Sequence, residues 1–226
     1  MAAENAKPEE YNLTFNQMKY TGPSCRLCRR EGEKLFLKGD KCTSQKCPLL
    51  KKNYAPGMHG NGGKGSFKKQ SEYGRQLRAK QKAKRIFQVP ENQLKQYYTL
   101  STKQTGVTGE ILLQYLERRL DNIVYKAGFT KSKKLGRQVV NHGLIKVNGR
   151  KCRVGSRLMK VGDIVSVYKK EKGVKIFEGL DKQKDSSPKW LNTDLSKGET
   201  QVAFLPEKDD LDRSINSQLI VEFYSK

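Results

Sequence analysis

The sequence predicts an α+β fold, with helical segments followed by a compact unit of two helices, a hairpin and a further strand. Residues 71–88 have helical composition, and apolar side chains recur at helical spacing over residues 109–127. The dipeptide Asn148-Gly149 then separates two short alternating stretches, which is typical of a hairpin with a two-residue turn. With 226 residues, the chain is long enough for one or two domains with a buried core.

The charge of the chain predicts a polyanionic partner. Lys and Arg number 46 against 23 Asp and Glu, a formal net charge of +23. Nucleic acid is the first interpretation and an acidic membrane surface the second. Residues 48–88 hold 11 basic residues and one acid, and residues 117–153 hold 11 and two, whereas residues 178–226 hold ten acids and seven basic residues. We therefore expect RNA-facing surfaces in the centre of the chain, and packing or protein contacts at its end.

No signal for a membrane or for secretion is present. No apolar run approaches the roughly 20 residues that a membrane span needs. Residues 1–17 carry Glu4, Glu9 and Glu10 against Lys7, which argues against a signal peptide or a basic transit helix. The sequence favours a reducing cytosol, where clustered cysteines indicate a metal site before a disulfide framework.

A basic stripe is predicted on the helix at about residues 71–88. At 100° per residue its members fall within an arc of roughly 80°. A surface of this kind suits RNA, although a solvated charged helix has the same composition. The stripe consists of Arg75, Arg78, Lys82 and Arg85.

The compact unit follows element by element from the next 60 or so residues. A helix over 109–127 is stopped by Gly128, and a second helix is capped by Ser132 and ended by Gly143. The hairpin follows, and a short strand is expected over 163–168. The unit is small for an independent fold and gains from packing on a neighbour.

Four cysteines in the N-terminal part form two pairs separated by a loop. Cys25 and Cys28 have two residues between them, Cys42 and Cys47 have four, and 13 residues separate the pairs. Tetrahedral zinc coordination by four thiolates fits this plan, and four thiolates also hold iron-sulfur clusters. Four reduced thiols without metal are the remaining interpretation. Cys152, in the hairpin, reads as a small buried side chain.

The sequence gives little support for an enzymatic activity. The chain has two histidines, His59 and His142, and no convincing pairing of a nucleophile with a base. Gly63-Lys64 lacks the upstream glycine and the following Ser or Thr of a phosphate-binding P-loop. We expect a protein that is not an enzyme, the alternative being an RNA-modifying enzyme or an RNA-binding regulator anchored by the compact unit.

A family resemblance enters at the compact unit and then extends along the chain. RRLDNIVYKAGF, GRQVVNHGLIKVNGRK and VGDIVSV resemble the RNA-binding module named after the fourth protein of the small ribosomal subunit. That module also occurs in other RNA-binding families, so it implies RNA binding and little more. KYTGPSCRLCRREGEKLFLKG, YAPGMHG, SEYGRQLRAKQKAKRIF, PKWL and INSQLIVEFYSK resemble the bacterial-type small-subunit ribosomal protein four family itself. The resemblance covers about residues 18–226.

The resemblance implies a domain organisation. Residues 18–116 form a mainly helical N-terminal domain that holds the cysteine segment 25–47. The RNA-binding module at 117–180 is inserted after it, and the tail at 181–226 packs back on the N-terminal domain. Residues 1–17 are an extension ahead of the usual family start, without an assigned role.

The resemblance also implies function and partners. The chain is expected to bind 16S-type ribosomal RNA in the cytoplasmic ribosome, to nucleate small-subunit assembly and to contribute to the messenger RNA entry region and to translational accuracy. Neighbouring small-subunit proteins, especially ribosomal protein five, are expected partners, and repression of its own messenger RNA is a compatible second role. Lys64, Lys68 and Lys69 occupy the stretch that lines the messenger RNA entry passage.

Candidate RNA contacts in the module are also taken from the family motif. They are expected to touch phosphates and 2′-hydroxyls, since A-form RNA hides its base edges in a narrow groove. Asn148 has the alternative interpretation of a turn residue, and His142 that of a packing group at a helix end. The candidates are Arg118, Arg119, Ser132, Lys133, Arg137, Gln138, His142, Lys146, Asn148 and Lys151.

Overall fold

The computed structural model describes residues 20, 22–58, 60, 70–168, 177 and 187–225. Within them, nine α-helices and one five-stranded antiparallel sheet surround two hydrophobic cores, which confirms the α+β prediction. The helices are α1 (Ser24–Glu31), α2 (Asp40–Thr43), α3 (Pro48–Lys51), α4 (Glu72–Ile86), α5 (Glu91–Thr102), α6 (Thr108–Glu117), α7 (Leu120–Lys126), α8 (Lys133–Asn141) and α9 (Ser217–Tyr224). The strands are β1 (Ile145–Val147), β2 (Arg150–Cys152), β3 (Ile164–Val167), β4 (Leu191–Asp194) and β5 (Glu199–Val202).

The first core is helical and contains residues from early and late in the described chain, from Cys28 to Ile220. Helix α4 matches the helix predicted over 71–88, and the Ser71 side chain caps it by accepting a hydrogen bond from the Gly74 backbone N–H. Helix α9 packs against α4 and α6. Leu94, Leu112 and Ile220 are fully buried between these helices. The last helix of the tail therefore packs into the helical core.

The helix predicted over 109–127 is interrupted. Arg119 adopts an extended backbone, with φ −67° and ψ 138°, and separates α6 from α7. At the break the chain bonds to a passing segment, because the Met159 N–H donates to the Arg118 carbonyl and the Leu120 N–H donates to the Arg157 carbonyl. The apolar period continues across the break, so the sequence pattern gives no sign of it. The break lies where the chain leaves the first core and enters the second.

The second core lies under the sheet, whose strand order is β2-β1-β3-β5-β4. The hairpin prediction is confirmed, since β1 pairs with β2 around Asn148 and Gly149, which have φ values of 49° and 79°. Both turn residues need this left-handed region, which Asn and Gly tolerate best. Strand β3 matches the predicted strand at 163–168 and pairs with β1.

The tail divides between the two cores, although residues 181–226 are expected from the resemblance to pack on the N-terminal domain. Strand β5 pairs with β3, and β4 pairs with β5. Trp190 is fully buried in the second core together with Leu191 and Val202. A module ending at residue 180 would leave β3 as an unpaired sheet edge, and the tail strands cover that edge.

Candidate nucleic-acid interface

The exposed surface of residues 117–168 carries a larger excess of positive charge than the residue counts of the segment suggest. This segment contains 13 Lys and Arg residues and three acids. Glu117 and Asp121 are buried, and the Asp163 carboxylate accepts hydrogen bonds from the Asn148 side chain and the Lys160 backbone N–H. Little negative charge therefore remains to offset the cations. Lys131 is exposed but pairs with Asp40. The other exposed cations, called the module cations below, are Lys134, Arg150, Lys151, Arg153, Arg157 and Lys160.

The C-terminal end of helix α8 brings the helix and hairpin parts of this surface together. Gly143, with φ 73°, follows the helix, and the Arg153 side chain packs against its backbone. Gln138 on α8 and His142, directly after α8, are exposed nearby. Both of these residues are candidates from the family motif and are accessible to a partner.

The start of α8 has a structural role. The Ser132 side chain is buried and caps the helix by accepting a hydrogen bond from the Leu135 N–H. Lys133 is half-buried as a residue, but its ammonium nitrogen lies 3.9 Å from the centroid of the Phe87 ring, where burial lowers its pKa. Both side chains are committed to packing, so neither one presents a free group to RNA.

Arg119 is a further correction, because its side chain is fully buried and cannot reach RNA. Its guanidinium forms two hydrogen bonds to Asp121, at 3.1 and 2.7 Å. It also donates to Gln93 Oε1 and to the Tyr97 hydroxyl on α5. Arg137 joins this set, 3.5 Å from the same Asp121 carboxylate. These five residues are called the junction network.

Arg118 and Arg137 are half-buried and have intramolecular partners. Arg118 Nε donates to the Met159 carbonyl, and Arg137 Nη1 donates to the Gln88 carbonyl. Burial lowers the pKa of Arg137, and the Asp121 carboxylate opposes this. The sequence shows that these residues are basic, but not that they face the joint between the two cores.

The basic stripe of α4 is held by carboxylates. Arg78 and Arg85 bind Glu31, Lys82 binds Glu33, and Arg75 binds Glu72 on its own helix. Three of the four contacts therefore attach α4 to the end of α1 and the loop after it. Any RNA that uses the stripe must compete with these carboxylates.

Asn148 is exposed, but both ends of its amide are used. Its Nδ2 donates to Asp163, and its Oδ1 accepts from the Ile164 N–H. The structure thus supports the turn interpretation of this residue. Lys146 and Lys151 lie directly opposite each other on β1 and β2.

The four cysteine sulfurs share one neighbourhood. Cys28, Cys42 and Cys47 are buried and Cys25 is half-buried. Burial raises the pKa of Cys28, a hydrogen bond from the Leu35 backbone opposes this, and the other three thiols raise it further. The Lys38 N–H also donates to Cys42 Sγ at 3.3 Å. Nevertheless, in the described part of the chain no three ligating side chains are arranged to hold a metal ion.

Several predicted features lie outside the described residues, namely Lys64, Lys68, Lys69 and the extension at residues 1–17. Among the described helices, none has both the length and the apolar character needed to cross a bilayer. The cations that the family motif did not supply are Lys134, Arg150, Arg153, Arg157 and Lys160. Their signal in the sequence is the excess of basic residues itself, which does not show which side chains are exposed.

Comparison with known proteins covers both cores. Residues 19–117 match the family described as "Ribosomal protein S4/S9 N-terminal domain", and residues 118–165 match "S4 domain". The chain is 48% identical over 209 residues to the small ribosomal subunit protein uS4A of Alkaliphilus oremlandii, covering 92% of this chain and 99% of that protein. The chain belongs to the uS4 family. The uS4 proteins of Acetivibrio thermocellus and Caldicellulosiruptor bescii are 47% and 48% identical over 210 residues, with the same coverage.

Membership in the uS4 family confirms the resemblance stated from the sequence, and these relatives carry names of ribosomal proteins rather than of enzymes. In this uS4 chain, the two matched families meet between residues 117 and 118. That position coincides with the break between α6 and α7, where the chain passes from one core to the other.

Proposed function

We propose that this chain is a structural constituent of the small ribosomal subunit and binds 16S-type ribosomal RNA in the cytoplasmic ribosome. The observation that carries the proposal is the surface of residues 117–168, where the module cations are exposed and two of the three carboxylates are buried. Family membership supports the ribosomal assignment, since the named relatives are small ribosomal subunit proteins.

Contacts to the RNA backbone suit this surface. Arg and Lys supply charge-assisted hydrogen bonds to phosphates, which position a protein on RNA without reading its sequence. The deep, narrow major groove of A-form RNA leaves phosphates and 2′-hydroxyls as the accessible groups. Arg153 beside the end of α8 and Arg150 on the hairpin present such donors from two neighbouring elements.

The way in which the two cores are joined supports a role in assembly. The junction network links α5 of the first core to the start of α7 in the second through buried hydrogen bonds. A protein with two basic parts held in a fixed relation can hold two RNA helices at a junction, and this is how we propose that the chain nucleates subunit assembly. Contributions to the messenger RNA entry region and to translational accuracy, and contact with ribosomal protein five, are proposed on the family resemblance.

A charge-removal experiment tests RNA binding by the module. Replacing Arg150, Arg153 and Lys160 by alanine removes three module cations, and the matched control replaces the tail residues Lys197, Lys208 and Arg213. Wild-type affinity for a 16S-type RNA junction should fall about 10³- to 10⁵-fold between about 50 and 200 mM salt if roughly six to ten phosphates are contacted. The module variant should lower the salt slope by about three, and the control should leave it unchanged.

Equal slopes for the module variant and the wild-type protein would contradict the proposed surface. Crosslinking in cell extract, followed by sequencing of the attached RNA, addresses the functional class. Crosslinks concentrated in 16S-type RNA are expected. Crosslinks concentrated in messenger RNA would instead favour a regulator, and crosslinks at scattered modification sites would favour an RNA-modifying enzyme.

We also propose that Cys25, Cys28, Cys42 and Cys47 bind zinc, with an iron-sulfur cluster as the alternative. The cysteine spacing, the shared neighbourhood of the sulfurs and the backbone N–H donors to Cys28 and Cys42 support the proposal. The described arrangement does not present three ready ligands, so binding must draw the sulfurs closer together. Four thiolates around a divalent zinc leave a formal −2, which would offset the basic residues of this segment.

A further inference from the structure

Two lysines and a tyrosine meet on the outer face of the sheet. Val147, Val165 and Val167 point into the second core. Side chains alternate between the two faces of a strand, so Lys146 on β1 and Tyr168 just after β3 lie on the opposite, accessible face. Lys151 on β2 is the direct partner of Lys146 across the hairpin. Lys146, Lys151 and Tyr168 are called the hairpin patch.

The hairpin patch holds charge that the described residues do not neutralise. Like charges directly opposite each other on neighbouring strands are destabilising. The Tyr168 ring offsets part of this, because its centroid lies 4.8 Å from Lys146 Nζ and 4.3 Å from Lys151 Nζ. In the described ranges neither ammonium has a carboxylate within ion-pair distance. The patch therefore presents two cations around one aromatic ring.

The rest of the same face has a different character. Glu199 on β5 is the register partner of Ser166 on β3, and β4 beyond it ends at Asp194. A polyanion is thus attracted to the β2-β1 side of the face and repelled by the β5-β4 side. This charge difference gives the patch a defined edge.

We propose that the hairpin patch binds an unpaired nucleotide of the RNA, with the base on Tyr168 and the flanking phosphates on Lys146 and Lys151. The inference rests on the proposed RNA-binding function. It assigns base stacking to the sheet face, whereas binding along an RNA helix requires only contacts to the RNA backbone. Stacking on aromatic side chains, combined with lysines along the backbone, is how proteins hold single-stranded nucleic acid. When phosphates bind the ammonium groups, the lysines leave the ring and its face becomes free for the base. An acidic peptide would satisfy the two lysines but would leave the ring without a flat partner.

A single-stranded RNA oligonucleotide of about eight nucleotides that carries one 2-aminopurine tests the proposal with the full chain. Wild-type protein should bind it and quench the 2-aminopurine fluorescence, which reports stacking. Tyr168→Leu should weaken this binding about tenfold and remove the quenching, and Tyr168→Phe should keep both. Binding of a 16S-type RNA junction that contains no unpaired nucleotide should stay within about twofold for both variants.

Lys151→Ala separates the charge contribution from stacking. It should reduce the salt slope for the oligonucleotide by about one and leave part of the quenching. The emission spectrum of Trp190, the single tryptophan, which is buried beneath the sheet, shows whether each variant keeps its core. Both Tyr168 variants are compared only where this spectrum matches wild type, and Tyr168→Phe retains the ring if Tyr168→Leu does not fold.

Four results would overturn the inference. Unchanged oligonucleotide affinity and quenching in Tyr168→Leu would show that the ring does not stack on RNA. Equal loss of junction binding would show that Tyr168 acts through the fold. Displacement of the oligonucleotide by a polyglutamate peptide at the same concentration would assign the patch to an acidic protein. If wild-type protein bound the junction but not the oligonucleotide, this inference alone would fail; if it bound neither, the proposed function would fail as well.

Discussion

Arg119 Nη2 lies 2.7 Å from Asp121 Oδ2, and both side chains are buried where the helical core meets the sheet core. The pair is two residues apart in sequence and forms a bidentate contact, because Arg119 Nε also donates to Asp121 Oδ1. Gln93 and Tyr97 complete the coordination of the guanidinium from α5. An arginine that the sequence motif suggests for RNA thus holds the two cores together.

Arg119→Ala should lower the free energy of unfolding by about 3–5 kcal/mol, because it leaves Asp121 buried with its principal partner removed. The loss of stability should fall in the lower part of this range, because Arg137 remains 3.5 Å from the same carboxylate. Urea denaturation followed by fluorescence of Trp190 measures the change. The exposed Arg153 is the matched control, and Arg153→Ala should change stability by less than about 0.5 kcal/mol. A similar small change in Arg119→Ala would show that the network does not join the cores.

The difference between these arginines shows where sequence reasoning stops. The helix at 71–88, the Ser132 cap and the Asn148-Gly149 turn depend on local propensities, and the structure confirms each of them. The inward orientation of the Arg119 side chain depends on its contact with α5, some twenty residues earlier in the chain. No local sequence pattern encodes that contact. The ion pairs of the α4 stripe likewise depend on acids of the α1 region, so the stripe alone could not show that it is neutralised.

Glu91 should make the stability of the helical core depend on pH. Its carboxylate accepts hydrogen bonds from Lys80 at 2.7 Å and from the Tyr224 hydroxyl at 2.8 Å. Burial opposes ionisation, but the bonds from Lys80 and Tyr224 outweigh it and hold the pKa of Glu91 below its ordinary value of 4.5. A carboxyl group with a depressed folded-state pKa stabilises the protein above its unfolded pKa, and that contribution is lost as pH falls through the folded pKa.

Unfolding free energies of wild type and Glu91→Gln, measured in urea at several pH values, test this expectation. Wild type should be the more stable protein near pH 7, and its advantage should shrink below about pH 4.5 as the carboxylate of Glu91 is protonated. Glu110→Gln is the control, since Glu110 pairs with the exposed Lys208. An advantage that stayed constant down to pH 3 would contradict the assigned role of Glu91.

The tail strands make a prediction about the boundary of the module. A fragment of residues 110–204 should fold as a unit, because it contains β4, β5 and Trp190. A fragment of residues 110–180 lacks all three and should be less stable by several kcal/mol or unfolded, since large buried side chains contribute about 3–5 kcal/mol each. Circular dichroism melting of the two fragments gives the comparison. If the shorter fragment melted at the same temperature, β4 and β5 would be dispensable and the boundary at 180 would stand.

The cysteine segment makes the last prediction. The apolar side chains between Cys25 and Cys47 are few, and the segment carries many cations, so packing alone gives it little stability. Structural zinc contributes on the order of 10 kcal/mol to folding in small peptides. Protein purified anaerobically without chelators should therefore contain about one zinc, or one iron-sulfur cluster, per chain.

Cys28→Ser should lose the metal and make residues 22–58 sensitive to protease, while the Trp190 emission of the sheet core stays unchanged. Cys152→Ser is the matched control, because Cys152 is a buried free cysteine in the sheet core, and it should retain the metal. The proposal would be refuted if purified wild-type protein contained no metal and its N-terminal segment were as resistant to protease before metal is added as afterwards.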